Sequence, residues 1–414
     1  MAGRTPGWQA FRTPHLGIRN NVAMSAPPVI ASALATSSDA VTAVRSACEE
    51  ITARMQGRRV SLAVVFVSHD LAGDPWTLLD ELRRHLEPEH LVGTVTDAVI
   101  AGDRELEGTP GISVWAASLP GAETEVVRFV SEPDTAPTFL GAWPSWVTSE
   151  PDTTLIVLSD PFTFPVEVLL AEHRHAGLPP IVGGQASGGT RAGDHALFLD
   201  DEVHFDGAVG VAITGVTTIP VVAQGAVPVG PDMVITGGGG TVIEELAGVR
   251  AYDRLMMILE DLADESTPFT GAPMMGIVIN ENLPEYTRND FLVRALQGHD
   301  PATGSVHIGE HIRVGQTVRL HSLSGASADE DLTLTLEETR RRMGDRSAAG
   351  VLLFTCNGRG RRLFEGESHD AKAVTAAFGA PLGGMFANGE IGPVSGETFL
   401  HGFTASILVF VTPG

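Results

Sequence analysis

The sequence predicts a mixed α/β fold built from repeated strand–helix–strand–hairpin units. The first observation is that three apolar runs end in a small nucleophilic side chain, at Ser68, Ser159 and Cys356. The second is that polar turn residues and a helix-like segment follow each run. The third is that each helix leads to a short apolar stretch with glycine, namely LVGT, IVGG and PLGG. Because strand–helix–strand crossovers give parallel strands and hairpins give antiparallel ones, we expect mixed sheets covered by helices.

Four segments have the apolar spacing or the end residues that helices prefer. Segment 75–86 places its leucines on one face. Segment 165–177 has proline at its start and glycine at its end, and segment 368–380 opens with Ser and Asp side chains that can cap it. Segment 329–346 has acids in its first turn and arginines in its last, which suits the helix dipole. Each segment is therefore predicted to be a helix.

A fourth, longer copy of the unit is also expected, with strands at 233–236 and 273–279 and a helix near 242–263. Two pairs of units would make two related lobes, with a boundary near 240–250. The TGGGGT run at 236–241 lacks the pattern of a dinucleotide-binding loop. We interpret it as a tight loop that could serve as a hinge.

The first 38 residues contain no Asp or Glu but include three arginines. A targeting segment and a disordered tail are both consistent with this composition. We expect a disordered tail over residues 1–40, one domain over 41–247 and a second over 248–414.

Composition narrows the function. Acids outnumber bases 51 to 27, which gives a formal charge of −24. Such a chain repels phosphate backbones and anionic lipid, so we expect no binding to nucleic acid or to a membrane surface. No apolar run approaches the roughly 18–20 residues needed to span a bilayer, so we expect no membrane insertion. Two cysteines provide no disulfide framework and no zinc spacing, which favours a reducing, cytoplasmic location. The scattered histidines and the absence of a nucleotide-binding loop predict no metal and no cofactor.

Cys356 is the first candidate for chemistry, because it lies where open α/β sheets place ligands. The nearby arginines Arg359, Arg361 and Arg362 would favour a thiolate. A catalytic cysteine also needs a base, for which His369 and His401 are candidates. Three hypotheses stay open: the end of a buried strand, a pocket residue and a nucleophile.

Glu390 is the second candidate. It lies in the glycine-rich stretch ANGEIGP at 387–393 and could bind an amino or guanidinium group. The alternative is an exposed carboxylate in a hairpin loop. Since the loops 356–360 and 387–393 follow neighbouring predicted strands, we expect them to face each other.

These stretches together resemble a known family over about residues 58–413. IVGGQASGG and GAVPVGPDMVITGGGGTVIEELAG look like the FIST N-terminal domain, and CNGRGRRLFEGE, PLGGMFANGEIGP and FLHGFTASILVF look like the FIST C-terminal domain. The resemblance implies an intracellular sensory module of signal transduction that binds a small ligand such as an amino acid. It carries over, as ligand-binding candidates, Cys356, Asn357, Arg359, Gly389 and Glu390. The sequence departs from larger relatives because it leaves no room for an output domain or an F-box, so a signal would pass through a partner protein.

Three hypotheses of function follow. In the first, which we favour, the chain is a sensor in which Arg359 binds a ligand carboxylate and Glu390 its ammonium. In the second, Cys356 is the nucleophile of an enzyme. In the third, the chain is a scaffold that signals by protein contacts without a small-molecule site.

Overall fold

The computed structural model describes residues 26–131, 139–150, 152–263 and 271–413. Within these ranges the α-helices are α1 (Ala40–Met55), α2 (His69–Ala72), α3 (Pro75–Leu86), α4 (Val166–His175), α5 (Ala251–Ala263), α6 (Gly325–Met343) and α7 (His369–Phe378).

The strands of the first half of the chain are β1 (Val29–Thr36), β2 (Leu62–Ser68), β3 (His90–Thr96), β4 (Val99–Ala101), β5 (Arg104–Leu106), β6 (Gly111–Ser118), β7 (Glu123–Ser131), β8 (Phe139–Leu140), β9 (Thr154–Ser159), β10 (Ile181–Gln185), β11 (Leu197–Leu199), β12 (Glu202–His204), β13 (Ala208–Thr214) and β14 (Thr218–Ala223).

The remaining strands are β15 (Ala226–Leu246), β16 (Val249–Arg250), β17 (Ala272–Val278), β18 (Phe291–His299), β19 (Val306–Ile312), β20 (Thr317–Leu323), β21 (Ala348–Cys356), β22 (Leu382–Ala387), β23 (Glu390–Val394), β24 (Glu397–His401) and β25 (Ala405–Val411).

Three strand–helix–strand units form the main body of the fold. In each unit two strands pair in parallel around a helix, as β2 and β3 do around α3, β9 and β10 around α4, and β21 and β22 around α7. A later strand of the same unit, β6, β13 or β25, returns antiparallel to the first. The mixed α/β class and the three predicted units are thus confirmed.

The hairpin of each unit pairs with a strand in the sheet of another unit. The hairpin β4–β5 of the first unit pairs with β22 of the third, and β11–β12 of the second pairs with β3 of the first. The hairpin β23–β24 of the third pairs with β10 of the second. This exchange is cyclic, so the three sheets interlock across both halves of the chain.

A shared apolar core lies where the three sheets meet. Phe66 of β2 contacts Phe354 of β21 edge-to-face, with ring centroids 5.9 Å apart. Trp115 lies 5.0 Å from Phe410 in the same cluster, and Ile156 of the second sheet joins it. Burial of these large side chains favours one body over separable lobes.

The predicted fourth copy is wrong, because residues 226–323 contain a different structure. Strands β15, β19, β18, β17 and β20 pair antiparallel in that order, and β20 returns to pair with β15. The sheet therefore closes into a small barrel against which α5 packs. The division into two paired lobes is accordingly replaced by three units and a barrel.

The glycine run also differs from expectation. Residues 237–240 belong to β15, not to a tight loop. The pairing register shifts between Gly240 and Val242, and Gly238 and Gly240 have positive φ angles. These glycines therefore supply a bulge in a barrel strand. The helix near 242–263 starts only at Ala251, since the strand takes up the preceding residues.

The expectation of a disordered tail through residue 40 is wrong for residues 29–36. These residues form β1, which pairs with β6 along its whole length. Ala31, Ala33 and Ala35 are buried on one face of the strand, and Ile30 and Ser32 are buried on the other. Residues 1–25, where the targeting-segment alternative applies, lie outside the described residues. No helix in the described ranges is both long and apolar enough to cross a bilayer.

Candidate functional site

Cys356 lies at the end of β21 and is buried, which confirms the hypothesis that it ends a buried strand. Its amide donates to the Thr404 carbonyl at 3.0 Å, and its Sγ accepts from the Gly358 amide at 3.4 Å. Burial, reinforced by the nearby Glu390 carboxyl, raises the pKa of the thiol well above its ordinary value. The thiolate needed for nucleophilic chemistry is therefore disfavoured.

Glu390 is the first residue of β23, and its side chain is fully buried. Its Oε2 accepts from the Thr404 amide at 3.1 Å and from the Thr404 hydroxyl at 2.9 Å. Its Oε1 has no hydrogen-bond partner among the described residues. Burial raises the pKa of this carboxyl, and the two Thr404 bonds only partly oppose the shift. The alternative of an exposed carboxylate in a hairpin loop is therefore wrong.

Arg359 is fully buried and is held by protein groups. Its Nε and Nη2 donate to the Asp370 carboxylate at 2.7 and 2.8 Å, and its Nη1 donates to the Phe403 carbonyl at 3.3 Å. Burial opposes ionisation of Asp370, but the Arg359 guanidinium outweighs it and holds the pKa of Asp370 well below its usual range. A direct ion pair between Arg359 and a ligand would require this pair to break.

Cys356, Arg359 and Glu390 form a buried cluster. Asn357 and Gly389 flank this cluster without joining it. The Asn357 amide donates to the Ala387 carbonyl at 2.9 Å, and the Gly389 carbonyl accepts from the Gln185 amide at 2.8 Å. A Cβ at position 389 would lie 2.8 Å from Gln185 Oε1, so glycine permits the close approach of β10. Of the five candidates, the structure thus brings together Cys356, Glu390 and Arg359.

The cluster holds one wall of a cavity. Its three members all bond to Phe403 or Thr404, which follow β24. Residues 400–403 line a cavity of about 480 Å³ between this segment, α4 and the barrel. We call it the barrel cavity. Its volume is in the range of small-molecule sites.

Opposite charges lie beside apolar side chains in the barrel cavity. Arg294 donates through Nε and Nη2 to Glu310 at 3.1 and 2.8 Å, and Glu167 also lines the cavity. Burial lowers the pKa of Arg294, while Glu310 opposes the shift. Apolar surface comes from Met274, Val293, Leu400 and Phe403.

His401 belongs to the same wall, but its Nδ1 is buried beneath the cavity surface. Its Nε2 lies 2.9 Å from the Gly392 carbonyl, so Nε2 carries the proton and Nδ1 is the acceptor. No described group bonds to Nδ1. Burial and the nearby Arg294 charge lower the pKa of His401 to about 3, so the ring is neutral near pH 7.

No local sequence pattern indicates the barrel cavity. Arg294 and Glu310 come from barrel strands about a hundred residues before His401, and their alternation resembles that of any half-buried strand. His401, a candidate base for Cys356, bonds through its ring to the Gly392 carbonyl instead. His369, the other suggested base, bonds to Asp370 and Asp329. Within the described ranges no three His, Cys, Asp or Glu residues are arranged to hold a metal ion.

The thiols provide a direct test of the enzyme hypothesis. Both Cys48 and Cys356 are buried and unpaired, and burial raises the pKa of Cys48 to about 12. We expect neither to react with iodoacetamide near neutral pH in the folded protein, and both to react in guanidinium, as measured by mass spectrometry of peptides. Rapid, selective labelling of Cys356 in the folded protein would restore the nucleophile hypothesis.

Comparisons with known proteins agree with the resemblance seen in the sequence. Models of the FIST N domain and the FIST C domain match residues 61–249 and 249–393. The chain is 40% identical over 380 residues to the uncharacterized protein Mb0898c of Mycobacterium bovis, covering 91% of this chain and 97% of that protein. It is also 40% identical over 382 residues to the uncharacterized protein MT0656 of Mycobacterium tuberculosis, covering 91% and 98%. The chain therefore belongs to the FIST family, with a FIST N domain followed directly by a FIST C domain.

Proposed function

We propose that this chain is a sensor that binds a small zwitterion of amino-acid type in the barrel cavity. The observation that carries the proposal is the combination, in one cavity of about 480 Å³, of a largely buried cation and two carboxylates beside apolar side chains. FIST domains are associated with the sensing of small ligands in signal transduction, which supports the same class of function.

The groups of the cavity match the two charged ends of an amino acid. Arg294 would bind the carboxylate, since a guanidinium pairs with carboxylates in two-pronged geometry. Glu310, released in part from Arg294, and Glu167 would bind the ammonium. Met274 and Phe403 would contact the ligand side chain. An apolar ligand would leave the Arg294–Glu310 pair intact but would remove water from it without offering a hydrogen bond, so it should bind poorly.

The residues carried over from the family resemblance then have a positioning role. Cys356, Arg359 and Glu390 would hold Phe403 and Thr404 so that the wall formed by residues 400–403 keeps its shape. Asn357 and Gly389 would fix the adjoining turns. We further propose a cytoplasmic location, for which the two unpaired cysteines are support, and transmission of the signal to a partner protein.

The decisive experiment is a thermal-unfolding panel of amino acids and related metabolites. A ligand that binds only the folded state at a hundredfold Kd adds about 2.7 kcal/mol of stability. We expect a selective rise for a few amino acids and little effect of their decarboxylated or deaminated analogues. A flat panel, with no ligand co-purified, would favour the scaffold hypothesis.

Replacing Arg294 by glutamine should abolish that response. The neutral amide cannot pair with the ligand carboxylate, so we expect affinity to fall at least about tenfold, which equals about 1.4 kcal/mol. Arg250→Gln is the matched control, because Arg250 forms an exposed pair with Asp253 away from the cavity. Isothermal titration of the hit from the panel measures both. Equal affinity in the two variants would contradict the placement of the ligand.

A further inference from the structure

A second and larger cavity lies at the opposite end of the β23–β24 hairpin. It has a volume of about 670 Å³ and lies between α6, strand β14, the hairpin tip at 393–396 and Arg288. We call it the helix cavity. Its lining shares no residue with that of the barrel cavity.

The helix cavity is a groove with an apolar floor. Pro220, Val221 and Val222 of β14 lie along it. Among the described strands β14 pairs with β25 alone, so it is an edge strand. Pro220 lacks an amide proton, so this edge cannot take a further strand in full register. Pro393 closes the floor from the hairpin side, and Leu334 of α6 exposes 44% of its surface beside it.

The groove is also long enough for an extended chain. Residues of α6 line it from Asp331 to Arg342. At about 1.5 Å per residue this stretch spans roughly 16 Å. An extended peptide of about five residues covers the same distance, at about 3.3 Å each.

The outer end of the groove carries available positive charge. Arg342 lines it and has no ion-pair or hydrogen-bond partner among the residues the structure describes. Arg341 pairs with Glu338 at 2.8 Å, but both side chains are more than half exposed, so the pair is weak. At the inner end Arg288 pairs with the buried Asp331 at 2.9 Å. A chain of formal charge −24 thus presents two adjacent accessible arginines at one end of this groove.

We propose that the helix cavity is the docking site for an extended peptide segment of a partner protein, with apolar side chains on the β14 floor and a carboxylate at Arg341 and Arg342. The acidic surface elsewhere repels such a segment, so charge directs it to this end of α6.

The β23–β24 hairpin connects this docking site to the ligand site, and this part of the inference rests on the proposed function. Leu400 and His401 at one end of the hairpin line the barrel cavity, while Val394 and Ser395 at its tip line the helix cavity. Five paired positions hold its two strands together. A ligand that shifts one end would move the other, so ligand and peptide should change each other's affinity by the same factor.

Selection from a displayed library of random twelve-residue peptides tests the docking site without any small ligand. We expect enriched sequences to combine acidic and apolar residues. The synthetic peptide of the most enriched acidic sequence should bind the full chain in fluorescence anisotropy, with an affinity that falls as salt rises. Failure to enrich acidic sequences would overturn the proposal.

Variants of α6 identify the groove. The double variant Arg341→Glu/Arg342→Glu should weaken the peptide at least tenfold, and Leu334→Ser should weaken it severalfold. Arg340→Glu is the control, because Arg340 is exposed on the same helix but does not line the groove; its affinity should stay within about twofold of wild type. If Arg340→Glu lost as much peptide affinity as the double variant, the effect would come from net charge alone, and the proposed site would be wrong.

The two proposals fail separately. If Arg294→Gln loses the amino-acid response but still binds the peptide, both sites stand as distinct. If the amino-acid panel is flat while the peptide binds in a manner that depends on Arg341 and Arg342, the proposed function fails and the docking site stands. A saturating amino acid that leaves peptide affinity unchanged would overturn the connection through the hairpin.

Discussion

Replacing Arg359 by methionine should lower the free energy of unfolding by about 3–5 kcal/mol, the usual cost of removing one partner from a buried ion pair. The change leaves Asp370 fully buried without its bidentate partner. It also removes the hydrogen bond from Nη1 to the Phe403 carbonyl. Urea denaturation followed by circular dichroism measures the loss.

Arg361→Met is the matched control for this experiment. Arg361 lies two residues away and pairs with Glu367 at 2.8 Å, but both side chains are more than half exposed. Such pairs contribute about 0–1 kcal/mol, so we expect a small change. If Arg359→Met proves as stable as Arg361→Met, the ion pair does not organise the loop, and the positioning role of Arg359 would have to be abandoned.

We expect the wild-type protein to lose stability as pH rises from 5 to 8. Replacing Glu390 by glutamine should remove most of that loss. Burial raises the pKa of Glu390 from 4.5 to about 8 in the folded protein. A raised carboxyl pKa stabilises the fold below the unfolded-state value, and that stability is lost as pH rises toward the folded-state value. For a shift of this size the loss is on the order of 3 kcal/mol.

Glutamine mimics the protonated acid, because its oxygen can accept both bonds from Thr404. Near pH 5 the variant should therefore resemble wild type, and near pH 8 it should be the more stable protein. A smaller dependence should remain from Glu105, whose pKa burial raises to about 7. Glu365→Gln, at an exposed carboxyl, should retain the full dependence. Parallel profiles for wild type and Glu390→Gln would show that the carboxyl is ionised in the folded protein.

Local sequence patterns were sufficient to predict helices such as α3 and the proximity of two loops in the candidate site. Helix α3 spans the predicted residues 75–86, because Asp74 caps its start and its leucines face the core. The proximity of loops 356–360 and 387–393 followed from the parallel pairing of β21 and β22, which carry their carboxyl ends to the same edge. That these loops contribute to ligand binding stays a prediction.

Long-range pairing was not accessible from the same patterns. The β23–β24 hairpin has ordinary strand alternation, and nothing in it indicates that its partner is β10, some two hundred residues earlier. Burial of Glu390 depends on that pairing, so an exposed carboxylate was a reasonable alternative from sequence. The barrel cavity likewise forms only when Arg294 and His401 meet across the finished fold.

The cyclic exchange of hairpins also constrains the order in which the protein can be made. When the ribosome releases the first unit, the β4–β5 hairpin has no partner, because β22 lies almost three hundred residues further along the chain. Strand β10 likewise has no partner on that edge until β23 has been synthesised. Unpaired edges of this kind favour pairing with other nascent chains. We expect a fragment ending at the boundary between the two family domains to aggregate, and the full chain to complete its fold only after its last strands emerge.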